Sequence, residues 1–141
     1  MTNISQMQKE MMATGILSAI LILYCIGIQT IDPNNIGWLA NGDRSTHYLG
    51  WEFYRESDWK LILGTNTKYG LELGNSIVYS DSIPLLAIIF KPIAHILPNP
   101  FQYFGLWIAF CFFFQGYFGL KIAGLATTDS IIKISCAAFF L

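Results

Sequence analysis

The chain has 141 residues, of which 54% are hydrophobic and 16% aromatic but only 12% charged. A soluble domain of this size carries roughly a quarter of its residues as charges, so the composition predicts that lipid covers part of the surface. A net charge of −1 with no basic or acidic tail removes the electrostatic basis for nucleic-acid binding.

Residues 11–31 (MMATGILSAILILYCIGIQTI) contain no charge. As a helix they would reach about 31 Å, close to the thickness of a bilayer core. Lys9 beside Glu10 makes a poor leader, the apolar run is long for one, and no A-x-A cleavage site follows, so a retained first transmembrane helix is expected rather than a signal peptide. Asp32-Pro33-Asn34-Asn35 then ends it, because proline cannot continue a helix and Asp and Asn favour turns.

Residues 32–82 form the polar part of the chain. Eleven of the seventeen charged side chains lie here, seven acids against four bases. Trp38, Tyr48, Trp51, Phe53, Tyr54 and Trp59 are interleaved with them, a composition suited to the headgroup level of a membrane. Asp43 is placed to cap an amphipathic juxtamembrane helix running from residue 44 to about 57. Leu49 and Phe53 are expected on its apolar side, with Glu52, Arg55 and Glu56 toward water. Gly64, Gly70 and Gly74 predict turns, with an extended piece at residues 76–79.

The apolar run at residues 83–97 (IPLLAIIFKPIAHIL) is short and is interrupted by Lys91-Pro92. It reads as a short span or a re-entrant piece, with a central lysine costing about 3 kcal/mol to insert. Residues 101–120 give a second full-length transmembrane helix. After Thr127-Thr128-Asp129, the eleven apolar residues 131–141 are too few to cross a bilayer and read as the start of a further helix. The fold class is therefore mainly α, a polytopic membrane fragment with transmembrane helices and an extracytoplasmic loop, and the chain reads as the front of a longer protein. The net-negative loop and Lys9 favour a cytoplasmic N-terminus. Lys121 falls outside if residues 83–97 cross and inside if they re-enter. Gly15 with Ala19, Gly105 with Ala109 and Gly119 with Ala123 mark close helix packing. Cys25, Cys111 and Cys136 all lie in apolar runs, which excludes a disulfide scaffold for the loop.

No zinc spacing, P-loop, G-x-G-x-x-G or G-x-S-x-G occurs. The candidate site is Asp43, Arg44 and His47, with Arg55 further on and Asp81 at the head of the second apolar run. Asp43 and His47, four apart, share one side of a helix and could deprotonate a hydroxyl or hold a divalent ion. Arg44 and Arg55 could grip a phosphate. Each has a plainer role: Asp43 and Asp81 as helix caps, and His47 and His95 as interfacial side chains.

The segments GDRSTHYLGWEFYRESDW, NSIVYSDSIPLLAIIFKPI and PNPFQYFGLW with FFFQGYFG resemble the opening of a family of uncharacterised bacterial multi-pass membrane proteins. The layout is also similar to the amino-terminal part of C-fold (GT-C type) glycosyltransferases, which take sugars from polyprenyl-phosphate carriers. That resemblance implies a bacterial inner-membrane location, a polyprenyl-phosphate-linked sugar donor and an envelope glycan or lipid acceptor. It puts Asp43 at the position of the acidic residue of the first extracytoplasmic loop, as catalytic base. Arg44, His47, Arg55 and Asp81 would then bind substrate. Arg44 stands where a paired acid would make a D-D or D-E motif, and Asp81 would have to supply the second carboxylate. The rival reading is a non-enzymatic membrane assembly or transport component whose loop acids are only caps.

Overall fold

A computed structural model describes residues 4–70 and 73–141. The chain is mainly helical, as expected, and its contacts divide it into two compact units, Met1–Ile31 with Gly105–Leu141, and Asp32–Phe104.

The first unit consists of α1 (Ile4–Cys25), α2 (Ile28–Ile31), α5 (Phe104–Ala126, from Gly105 onward) and α6 (Ser130–Phe139). The uncharged run expected as one helix over residues 11–31 is divided and shifted. Helix α1 starts a full turn and more upstream, takes in Lys9 and Glu10, and stops at Cys25. Gly27 is the cause: at φ +83° it leaves the helical region, a conformation glycine adopts without strain, and its N–H turns back to the Ile22 carbonyl at 3.1 Å. Among the described residues one helix, α5, is long and apolar enough to cross a membrane. It begins three residues later and ends six residues beyond the expected 101–120.

The buried row of α1 is Glu10, Thr14, Ser18 and Ile22, a strict i, i+4 stripe. Gly15 lies in open space, so the expected Gly15/Ala19 packing face is incorrect. The small residue that matters is Gly116 of α5, where an added Cβ would meet Ser18 Oγ at 2.9 Å and Thr14 Cγ2 at 3.0 Å. The other two small-residue pairs do pack: Ala109 and Ala123 are buried, Gly105 lies against the Thr30 carbonyl, and Gly119 lies against Ala137 and Phe140. Helix α6 starts where the Thr-Thr-Asp break was expected, with Asp129 accepting from the N–H groups of Ile131 (2.8 Å) and Ile132 (3.1 Å). Glu10 pairs with Lys133 of α6 at 2.6 Å and accepts from the Ser130 hydroxyl. Both charged side chains are largely withdrawn from solvent.

The second unit is built on α3 (Arg44–Glu56). A two-residue antiparallel ladder follows, β1 (Thr65–Asn66) with β2 (Asn75–Ser76), in register Thr65 to Ser76 and Asn66 to Asn75. A 3-10 turn over Ile77–Ser80 replaces the extended piece expected at residues 76–79. Next come α4 (Pro84–Phe90) and a 3-10 helix over Lys91–Ile96.

The unit closes on itself. Gln102 donates its backbone N–H to the Pro33 carbonyl and its side-chain amide to the Asp32 carbonyl, both at 2.7 Å. Trp51 is fully buried, edge-on to Tyr103 at 5.1 Å, and its indole N–H reaches the Phe101 carbonyl at 3.0 Å. The buried side of α3 is therefore Tyr48, Trp51 and Tyr54, while Leu49 and Phe53 are exposed. The core of the unit is thus formed by a side of α3 other than the Leu49–Phe53 side, and three of the six aromatic residues expected at a headgroup boundary belong to it. The reason is that residues 101–104 bring aromatic partners for them from fifty positions away.

Gly50 sits so close to Ser80 and Ser82 that a Cβ there would collide with both hydroxyls and with Ser80 Cβ. Replacing an interior helical glycine by alanine normally gains about 1 kcal/mol, whereas overpacking costs about 1–3 kcal/mol. Gly50→Ala is expected to lower the thermal midpoint and Gly15→Ala to leave it unchanged or raise it, read by near-ultraviolet dichroism.

Candidate functional site

Helix α3 carries four of the five expected site residues, either along its length or at its head. Asp43 precedes the helix, but its side chain makes no capping bond. The start is fixed by the Asp43 backbone carbonyl, which accepts from Thr46 N at 3.2 Å and Thr46 Oγ1 at 2.7 Å. The expected boundary is correct and the expected capping role is not: the carboxylate is exposed and has no partner among the described residues. Arg44 is likewise exposed and without a partner among the described residues.

His47, one turn on, is half-buried. Its ring lies 6.4 Å from that of Phe104, and Nδ1 is enclosed without a hydrogen-bond partner. Its backbone carbonyl accepts from the Ser82 hydroxyl at 2.5 Å. Ser82 is fully buried, its hydroxyl lies 2.9 Å from that of Ser80, and its carbonyl accepts from Tyr103 Oη. This serine pair, pinned against the Gly50 backbone, brings the intervening Asp81 to the N-terminal half of α3.

Asp81 itself is exposed at φ +50°, closing the 3-10 turn. It is not the cap of α4, because Ile83 occupies that position, also left-handed, and Pro84 opens the helix. Two left-handed non-glycine positions separated by a single residue are costly. The buried Ser82 between them holds the turn.

Arg55 belongs to a different place, twelve positions after Asp43 and so about 18 Å away along the helix. Its guanidinium donates to the carbonyls of Pro98 (3.1 Å), Ala94 (3.2 Å) and Leu97 (3.4 Å), and its side chain is only 8% exposed. Arg55, expected at a phosphate, has its guanidinium on the carbonyls at the end of the Lys91–Ile96 turn. Among the described residues no hydrogen bond or ion pair joins any two of Asp43, Arg44, His47, Arg55 and Asp81. Nor do three His, Cys, Asp or Glu side chains gather there in a group able to hold a metal ion. His95 is exposed beside Arg55 and Glu56 in a shallow cavity of about 280 Å³.

The residue whose part was misread is Lys91. In sequence it reads as a penalty within an apolar run. In the structure Pro84–Ile96 folds against α3 and the lysine is buried beneath the end of that helix. Its ammonium donates to the Tyr54 carbonyl, to Ser57 O at 2.7 Å and to Ser57 Oγ at 2.9 Å, and lies 4.0 Å from the Tyr54 ring centroid. Three acceptors for three N–H donors, at the negative end of a helix, account for a buried charge. Burial nevertheless pulls Lys91 down from 10.5 to about 8, with Asp58 opposing the shift. Burial, with Glu52 beside it, pushes Tyr48 up to about 12.

Residues 15–141 match the family described as a domain of unknown function (DUF6311), and the chain belongs to that family. No curated protein and no solved structure matches it.

Lys91→Met would remove all three bonds, taking the donor from the Ser57 carbonyl while the Tyr54 carbonyl keeps those from Ser57 N and Oγ, and is expected to destabilise the Asp32–Phe104 unit by about 2 kcal/mol, read by hydrogen exchange at the α3 amides. The pH dependence has a definite sign. Between about 8, the folded value, and 10.5, the ordinary one, the unfolded chain holds the extra proton. The stability of the native protein should therefore rise with pH across that window. In Lys91→Met the rise should be absent.

Proposed function

We propose that this chain is the amino-terminal part of a polytopic transferase in the bacterial inner membrane, one that moves a sugar from a polyprenyl-phosphate carrier to an envelope glycan or lipid acceptor. Asp43 is its general base, and Arg44 receives the donor phosphate. One observation carries the reading: the exposed, unpaired carboxylate of Asp43 stands beside the unpaired Arg44, at the head of a helix whose opposite side is fixed by a fully buried tryptophan. A base must remain open to its substrate, and the head of α3 leaves the Asp43 carboxylate open on a backbone that the packed helix fixes. Asp81, whose neighbour Ser82 is bonded to the His47 carbonyl, supplies the second carboxylate, and His47 belongs to the same half of the helix. Any divalent ion would need ligands from the substrate phosphate as well.

The membrane part of the reading is supported by α5 and by where the charges fall. All five charged side chains of the helical unit, Lys9, Glu10, Lys121, Asp129 and Lys133, belong to the start of α1, the last two turns of α5 or the head of α6. Glu10 meets Lys133, and Lys121 Nζ approaches Met7 Sδ at 3.6 Å, so the beginning of α1 and the close of α5 share one end. Three lysines at that end make it the cytoplasmic side by the positive-inside rule. On this path α1 runs outward, α5 returns, and Asp32–Phe104 stays outside at the headgroup plane, where a lipid-linked donor keeps its phosphate. The packing of Pro84–Ile96 on α3 favours the same path, since a crossing by that segment would put Lys121 on the outer side.

In the full-length protein Asn41→Cys should react with a membrane-impermeant maleimide from the periplasmic side. Asp43→Asn should lower transfer from a polyprenyl-phosphate sugar by about 100-fold or more while leaving insertion unchanged. Undiminished transfer removes Asp43 from the chemistry. Wild-type protein that moves a lipid or solute but transfers no sugar would favour the transport reading.

A further inference from the structure

The helical unit holds a second feature that the transferase reading does not use. At the charged end of α1, α5 and α6 lies a half-open cavity of about 250 Å³. Its wall is mixed in a definite way: Leu120, Leu125 and Met7 give an apolar side, while Gln6, Thr128, Lys121 and Lys133 give a polar one.

The charges in this wall are unequally committed. Glu10, the one carboxylate in the lining, is saturated by Lys133 at 2.6 Å and by the Ser130 hydroxyl. Asp129 of the neighbouring turn is occupied with the first N–H groups of α6. Lys121 has no carboxylate partner among the described residues. Its ammonium meets only the Met7 thioether at 3.6 Å and the Tyr117 ring at 5.5 Å. A thioether is a weak acceptor, so a cation with spare donors faces a cavity that also offers the Thr128 hydroxyl, while the Gln6 amide is engaged with Ser130 Oγ at 2.8 Å.

We propose that this cavity binds an amphiphile that ends in a phosphomonoester, the terminal phosphate on Lys121 and Thr128, and the start of its apolar chain on Leu120, Leu125 and Met7. A lysine donates to phosphate as a point charge from whichever direction the group approaches. The apolar side of the wall favours a lipid headgroup over a free anion, because inorganic phosphate would leave that side wet. The site goes beyond the transferase reading and shares no residue with its proposed catalytic group, so phosphate binding at Lys121 stands or falls independently of Asp43.

The test is calorimetric titration of the purified chain in neutral detergent with dihexanoyl phosphatidic acid, dihexanoyl phosphatidylcholine and inorganic phosphate in separate arms. Phosphatidic acid is expected to bind best, to weaken about tenfold or more in Lys121→Gln, and to recover in Lys121→Arg. Thr128→Val should weaken it less. Lys9→Gln, whose lysine does not line the cavity, should have no effect. Inorganic phosphate binding as tightly as phosphatidic acid, with the same dependence on Lys121, would overturn the lipid as the source. Equal binding of the two lipids, or binding indifferent to Lys121→Gln, would overturn the site.

Discussion

The fold of the polar segment hangs on a fully buried indole. Trp51 sits in the middle of α3, and its N–H is satisfied by a backbone carbonyl fifty residues away, at Phe101. The next residue, Gln102, ties the chain to Asp32 and Pro33. Two adjacent positions thus close a loop of about seventy residues onto its central helix and onto its own beginning. Closing so long a loop carries an entropic cost that grows only slowly with length. An aromatic cluster of Trp51, Phe90, Phe101 and Tyr103, with ring centroids 5.1–6.2 Å apart, offsets it by removing large apolar surfaces from water.

That closure determines which side chains are left for chemistry. Because the Tyr48–Trp51–Tyr54 side of α3 faces inward, Asp43 and Arg44 stay in solvent while Arg55 is drawn onto the carbonyls at the end of the Lys91–Ile96 turn. The two basic groups of one helix therefore have different roles. Arg55 and Lys91 both neutralise helix-terminal carbonyls inside the unit, the kind of work that lets irregular backbone be buried. Arg44 makes no such contact, and this difference is what recommends it for a phosphate.

The helical unit is held by contrasting means. Along most of their length α1, α5 and α6 meet through Thr14, Ser18, Gly116, Gly119 and Ala137, small groups that let backbones approach closely. At one end the Glu10–Lys133 pair joins α1 to α6. Breaking such a withdrawn pair by removing one partner costs about 3–5 kcal/mol, so α6 is tied to α1 by charge as well as by shape. With Glu10 consumed in this way, Lys121 is the cation in the cavity wall without a carboxylate partner among the described residues.

The sequence by itself determined the helical class, the boundaries of α3 to within a residue, the break at Asp129 and the absence of any disulfide framework. All of these follow from local chemistry: propensity, turn residues, capping, and cysteines confined to apolar runs. It could not show which side of α3 is buried, because Leu49 with Phe53 and Tyr48 with Trp51 are both plausible apolar stripes. The choice between them lies with Phe101 and Tyr103, far along the chain. The same limit misplaced the packing face of α1, hid the carbonyls that Arg55 meets at the end of the Lys91–Ile96 turn, and made Lys91 look like an insertion penalty. Only tertiary structure decided those points, since each depends on a partner brought from tens of residues away: Ser82 on the His47 carbonyl, Lys91 under the end of α3, and Gly116 against Ser18.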